Sequence, residues 1–304
     1  MAQHTHRIVF GPVPSRRLGR SLGINHIPPK NCTYSCVYCQ LGRSSNMNID
    51  RAVFYSSNDI AQEVEQKIEE VTTKGEQIDY LTFVSDGEPT LDVNLGKTIE
   101  LLKPFGKQIA VITNSSLLWR EDVRQDLLQA DWVSVKVDAV TPEVWRQIDR
   151  PHGRLKLQDI FQGISEFAKT FSGDLVTETM LIHGVNDKPE ELEGIARFIV
   201  GLSARRSYLS IPTRPPAEHW VKPAEEQVIN LAYHQFCEHG IKVEYLIGYE
   251  GNAFAFTGNV ADDLLSITSV HPMRKDAVQA FLAQAQAGWD IVEQLLCEEK
   301  LLEL

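Results

Sequence analysis

The chain has 304 residues, 43% of them hydrophobic and 23% charged, enough to bury one sizeable core and carry a small appendage. A formal net charge of −11 argues against broad nonspecific nucleic-acid binding, which comes from neutralising phosphates, and leaves RNA only a local basic patch. The start MAQHTHRIVF holds no apolar stretch of signal-peptide length and no run approaches a membrane span. With five cysteines, an odd number, a reducing compartment and a cytoplasmic location are expected.

In chain order, a strand is predicted at Leu22 to Ile27, leading into the loop NCTYSCVYCQ. Ile60, Val64, Ile68 and Val71 then mark one apolar helix face. Strands follow at Ile78 to Val84, Ile109 to Thr113, Trp132 to Asp138, Leu175 to Ile182 and Ser207 to Ile211. Helices at Leu91 to Leu102, Glu121 to Ala130, Leu157 to Phe171, Pro189 to Leu202 and Glu225 to His239 fill the gaps, and a seventh strand is placed at Lys242 to Ile247. This alternation is the sequence form of parallel βα units. After Gly258 the texture changes to three helical segments, Ala261 to Thr268, Lys275 to Gln286 and Trp289 to Leu301, so two units are expected, 1–255 and 256–304. The last segment carries Asp290, Glu293, Glu298 and Glu299, which phosphate would repel, so the tail reads as packing or partner docking rather than DNA binding.

The most informative motif is Cys32, Cys36 and Cys39, spaced C-x3-C-x2-C with Tyr38 before the last. Three thiolates on one loop can hold three corners of a cubane iron–sulfur cluster and leave the fourth iron open to a small chelating ligand. The alternative, a closed zinc site, needs a fourth ligand from His26 or somewhere distant, because Cys237 and Cys297 are solitary on helical patterns.

This triad, followed after an apolar run by Asp86-Gly87-Glu88-Pro89, resembles the radical S-adenosylmethionine (radical SAM) superfamily. The longer string GPVPSRRLGRSLGINHIPPKNCTYSCVYCQLGR is similar to a narrower group of iron–sulfur oxidoreductases related to the wyosine tRNA-modifying synthases. The resemblance implies an α/β fold, a partial (β/α)6 TIM-like barrel of the radical SAM type, with a small C-terminal trihelical, winged-helix-like appendage. In such barrels the loops at the C-terminal strand ends build the active site, and every motif here falls at such an end.

The resemblance also assigns candidate cofactor contacts. Gly87, Glu88 and Pro89 form the turn that would receive the methionine amino group, the alternative being an ordinary β-turn. Tyr38 joins them from the cysteine loop. Thr113, Asn114 and Ser115 close a strand where relatives contact S-adenosylmethionine, or else cap the next helix. By strand alternation Ser134, Lys136 and Asp138 face away from Val133, Val135 and Val137, so Lys136 could pair with the methionine carboxylate and Ser134 or Asp138 with ribose hydroxyls. The alternative is a buried Lys136–Asp138 ion pair that fills the lumen. Glu178 and the Gly184-Val185-Asn186-Asp187 turn resemble the ribose and adenine region. Arg16, Arg17 and Arg20, Lys30 and Arg43, and Arg205, Arg206 and Arg214 are candidates to receive a substrate, with Thr213-Arg214-Pro215-Pro216 the most suggestive, or else are solvated charges.

The resemblance further implies a [4Fe–4S] cluster that binds S-adenosylmethionine through its open iron. One electron then cleaves the cofactor to a 5′-deoxyadenosyl radical, which abstracts hydrogen from the substrate. An external reductant, flavodoxin or ferredoxin, is implied, and tRNA bases are one substrate class, with small molecules or proteins as the other. A rival of another kind is an iron–sulfur redox sensor whose tail contacts DNA.

Overall fold

The computed structural model describes residues 8–246, 259–270 and 273–303. Strand β1 (Val9–Ser15) pairs antiparallel with β2 (Gly19–Ile24). The cysteine loop is closed at its neck by a short parallel pair, β3 (Asn31–Cys32) and β4 (Asn46–Met47). Helix α1 (Ser57–Thr73) leads to β5 (Tyr80–Phe83), α2 (Leu95–Leu102) to β6 (Gln108–Thr113), and α3 (Glu121–Leu127) to β7 (Trp132–Lys136). Helices α4 (Pro142–Ile148) and α5 (Leu157–Thr170) precede β8 (Asp174–Met180), α6 (Pro189–Val200) precedes β9 (Arg206–Ser210), and α7 (Glu226–Glu238) precedes β10 (Val243–Leu246).

The large sheet runs β1-β2-β5-β6-β7-β8-β9-β10, and every pairing from β2 onward is parallel. This is the expected open α/β barrel, with its seventh parallel strand present. Alternation sorts the two faces. Leu22, Leu81, Ile109, Val111, Val133, Val135 and Leu175 pack outward under the helices. Leu18, Ala110, Trp132, Val176 and Tyr208 form a separate apolar layer within the barrel. Because Leu18 lies in the β1–β2 turn, the hairpin closes the floor at the N-terminal strand ends.

Several boundaries differ from the sequence reading. The strand expected at Leu22 to Ile27 is β2, which begins at Gly19 and ends at Ile24, so His26 and Ile27 already belong to the loop. Strand β1 and helix α4 are additional. Residue Asp138 lies two residues past the end of β7. The helix expected from Leu91 begins only at Leu95, after a 3-10 turn over Pro89–Leu91, because Ala52 N–H donates to the Leu91 carbonyl and Val93 N–H to that of Ala52, interrupting the helical ladder.

The C-terminal helices are α8 (Val260–Val270), α9 (Lys275–Gln284) and α10 (Asp290–Cys297). Leu264, Ile267, Phe281, Leu282, Val292 and Leu295 bury against Phe10 and Val13 of β1, so these helices cover the edge strand of the barrel. The expected division at 255/256 lies outside the described residues, as does Ile247. Among the described residues no helix is long and apolar enough to cross a membrane.

Candidate active site

The cysteine loop sits over the C-terminal strand ends and is clamped from several sides. Lys30 N–H donates to the Asp86 carbonyl, and Glu88 N–H to the Asn31 carbonyl at 3.0 Å. The close approach explains Gly87: a Cβ there would stand 1.9 Å from the Asn31 carbonyl oxygen and 2.7 Å from Ile27 Cγ2. On the other side Ser35 N–H donates to the Asp149 carbonyl, Val37 N–H to that of Ile148 and His152 N–H to that of Thr33. Glu218 N–H, from the segment after β9, donates to the Val37 carbonyl at 3.1 Å.

Glu88 organises the turn rather than standing open. Its buried carboxylate accepts from Thr90 N–H, from the Thr90 and Thr113 hydroxyls at 2.7 and 2.5 Å, and from Asn114 N–H at 2.8 Å. Burial nevertheless pushes its pKa up, against these four donors. The Pro89 carbonyl receives His26 Nε2 at 3.2 Å while Nδ1 faces the Ser85 hydroxyl, so both nitrogens of His26 are engaged away from the cysteines. His26 is therefore not the fourth ligand that a zinc site would need.

Asn114 and its neighbours join the cysteine loop to β6. Its side-chain amide donates to Thr33 Oγ1 at 2.8 Å and lies 3.5 Å from Cys32 Sγ, and its Oδ1 accepts from Ser116 N–H. Ser115, at φ 69°, accepts Lys136 N–H on its hydroxyl. The helix-cap alternative for Thr113 to Ser115 is not what forms, since α3 starts only after Arg120.

Inside the barrel a ladder of charges climbs from floor to mouth. The Arg17 guanidinium lies 5.8 Å from the ring centroids of both Trp132 and Tyr208 and donates to Glu178 at 2.6 Å. Lys136 Nζ is 3.2 Å from Glu178 and 3.5 Å from Asp138. The Tyr38 hydroxyl donates to Asp138 at 2.5 Å and is 3.5 Å from Asp149, toward which Cys36 Sγ also points at 3.4 Å. Burial works against charge throughout. Asp138 and Glu178 outweigh it for Lys136, whose pKa is raised, and Lys136 and Arg17 outweigh it for Glu178, held at about 2. Asp149, buried and beside Asp138, is pushed well above the usual carboxylate range. Ser134 Oγ is buried below Lys136 with no hydrogen-bond partner. In the structure Lys136 and Asp138 thus form the lumen ion pair, with Glu178 as a third member.

Among the described residues, no three His, Cys, Asp or Glu side chains are gathered as a single metal ion requires. The donor chemistry fits a thiolate-bound cluster: three unbridged thiols share one half-buried loop, and Cys237 and Cys297 are exposed on distant helices. Burial pushes Cys32 up to about 12, with Glu88 adding to the shift, and pushes Cys36 well above its ordinary value. Metal ligation is what would offset that cost of a buried thiolate.

The remaining candidates are structural or lie elsewhere. Asn186 is buried and bridges the Asp138 and Met180 carbonyls, while Gly184 N–H caps on Asp187. Arg20 pairs with Asp79, Arg205 with Asp174 and Arg206 with Glu244, all at the N-terminal strand ends, so this group does not border the mouth. Arg43 does, sharing Glu218 with Arg150, and Arg214 bonds Gln40 of the cysteine loop. Sequence reasoning missed Asp149 and Arg150, which hang on the short helix α4; the Thr141-Pro142 start signal was the cue.

Residues 27–199 match the sequence profile of the Radical SAM superfamily. UPF0026 protein MJ1312 of Methanocaldococcus jannaschii is 48% identical over 98% of this chain and 92% of that protein. A radical SAM methyltransferase from Sphaerobacter thermophilus superposes with a TM-score of 0.58 at 15% identity, over 75% of this chain and 66% of that one. TYW1 with a lysine–pyruvate adduct bound gives 0.50 at 16% identity, over 63% and 64%. These likenesses show the fold. The superfamily works with a [4Fe–4S] cluster and S-adenosylmethionine, and its enzymes generally need an external reductant. Matched over more than half its length and aligned nearly end to end with a curated relative, the chain belongs to the Radical SAM superfamily of enzymes and, within it, to the UPF0026 proteins.

Proposed function

We propose that this protein uses Cys32, Cys36 and Cys39 to hold three irons of a [4Fe–4S] cluster, with the fourth iron left for S-adenosylmethionine. When bound, the pair supplies one-electron cleavage of the cofactor to a 5′-deoxyadenosyl radical that takes hydrogen from a substrate. The supporting observation is the convergence of the strand-end segments on one loop: Gly87 lets the turn after β5 approach Asn31, Glu88 locks that turn to β6, and Asn114 offers its amide toward Cys32 Sγ. Tyr38 anchors that loop to Asp138, and Lys136 pairs with Asp138 and Glu178 in the lumen below. The turn over residues 86–89 and the end of β6 are the proposed seat of the methionine moiety, with Ser134 and its unpartnered hydroxyl deeper in the lumen.

The favoured substrate is a base in tRNA, supported by the N-terminal string and by the fold shared with TYW1. The reductant is a flavodoxin or ferredoxin. Anaerobic reconstitution with iron and sulfide, then dithionite and S-adenosylmethionine, tests the chemistry: 5′-deoxyadenosine is expected from the wild type and not from Cys32→Ala, Cys36→Ala or Cys39→Ala. Equal cleavage by these variants would refute the ligand set. Nucleoside profiling of tRNA from a deletion strain tests the substrate, and an unchanged profile removes the RNA reading alone.

A further inference from the structure

We infer that the outer face of the cysteine loop is a docking surface for an acidic one-electron carrier protein, built from three segments that fold together around the loop. This rests on the reading of the loop as the cluster site. The segments are 27–50, 149–156 and 212–222. They are joined by the bonds from Ser35 to Asp149, from His152 to Thr33, from Glu218 to Val37 and from Arg154 to Asp50.

The charges on them depart from the rest of the chain. The protein is −11 overall, yet these segments carry seven Lys and Arg against three carboxylates. Two of the three, Asp149 and Glu218, are buried. Arg43 is 71% exposed, Arg154 59% and Arg150 37%, and Lys156 and Lys222, on the second and third of these segments, are exposed as well. The neighbouring turn adds no opposing charge at the surface, since Asp86, Glu88 and Asp92 are all buried. Trp220, 46% exposed on the third segment, adds an apolar side chain to these basic ones, and Arg with an aromatic is a composition enriched at protein interfaces.

The position of the patch selects the partner. Within one loop Tyr38 turns into the lumen, whereas Gln40 and Arg43 face solvent. A substrate must reach the lumen side, but an electron can enter through the loop that carries the ligands. In that step the reduced carrier loses one electron and the cluster gains it, with no bond made or broken in either protein. A basic rim raises the encounter rate of an acidic partner and makes it dependent on salt.

The test uses the reconstituted full chain and purified flavodoxin. Binding is read by fluorescence anisotropy over a salt series, and 5′-deoxyadenosine formation is driven in parallel by reduced flavodoxin or by dithionite. The K156E/K222E variant is expected to weaken flavodoxin binding and the flavodoxin-driven rate by about tenfold or more at low salt. Its dithionite-driven rate should stay at the wild-type level, and Lys169→Glu at the far end of α5 should change neither. Wild-type binding that ignores salt, or K156E/K222E that binds flavodoxin unchanged, overturns the surface, as does loss of binding to bulk tRNA in place of flavodoxin. Absence of dithionite-driven cleavage in the wild type defeats the enzymatic reading instead, and the anisotropy then decides the surface on its own.

Discussion

The Tyr38 hydroxyl donates to the Asp138 carboxylate at 2.5 Å, so the residue before the last cysteine is tied to the chain just beyond β7. The same carboxylate accepts Met180 N–H at 2.7 Å and faces Lys136, and one buried acid therefore links the cysteine loop, β7 and β8. Tyr38→Phe keeps the ring and its 5.0 Å contact with the Lys136 ammonium but removes the donor. Losing a hydrogen bond to a buried charged acceptor is expected to cost about 1.5–3 kcal/mol, read by urea unfolding of the cofactor-free chain. A variant as stable as the wild type would mean that the hydroxyl does not anchor the loop.

His26 gives the fold a pH dependence whose sign is fixed. Burial pulls its pKa down to about 4, below the ordinary value of about 6.5, while the Pro89 carbonyl pulls weakly the other way. The proton therefore binds the unfolded chain more readily. His26 contributes its full stability above pH 6.5 and loses it as the pH falls toward 4. Between pH 7 and pH 5 the loss should be about 2 kcal/mol. Urea titrations of the wild type and His26→Gln at the two pH values measure it. The variant should lack this component, and parallel losses in both proteins would assign the effect to other groups.

The barrel was legible because its signals are local: the outward Val133 and Val135 and the inward Ser134 and Lys136 follow from alternation alone. The cysteine spacing likewise needs no tertiary information. The partners of the site residues were not legible. That Glu88 would spend its carboxylate on Thr113 and Asn114, and that Arg17 would enter the floor to meet Glu178 instead of a substrate, depend on contacts 25 and 161 residues apart. The edge strand β1 was missed because Gly11 and Pro12 mask its alternation.

Gly87 carries a steric requirement that a single methyl tests. In Gly87→Ala the new Cβ would fall 1.9 Å from a backbone oxygen of the cysteine loop, which has no rotamer by which to yield. Either the turn or the loop must shift, at a cost expected to be about 1–3 kcal/mol. Because the displaced atom belongs to Asn31, next to Cys32, iron and sulfide incorporation should fall together with stability. Full cluster content in a destabilised variant would place the shift on the turn side.

Asn114 offers a more selective probe, because its effect should be electronic before it is structural. The side-chain amide at 3.5 Å is the donor aimed at Cys32 Sγ, and donors to cluster sulfurs are among the levers that set reduction potential. Removing positive hydrogen-bond density from a thiolate disfavours the added electron. In the reconstituted Asn114→Ala protein the cluster potential should therefore move to a more negative value in a spectroscopic redox titration, with iron content retained. Thr33 Oγ1 loses its Asn114 donor in the same variant but keeps that of the Ser116 hydroxyl at 2.6 Å, which limits collapse of the loop. A potential that stays in place, or moves upward, would show that the amide does not act on the cluster and serves only to hold Thr33.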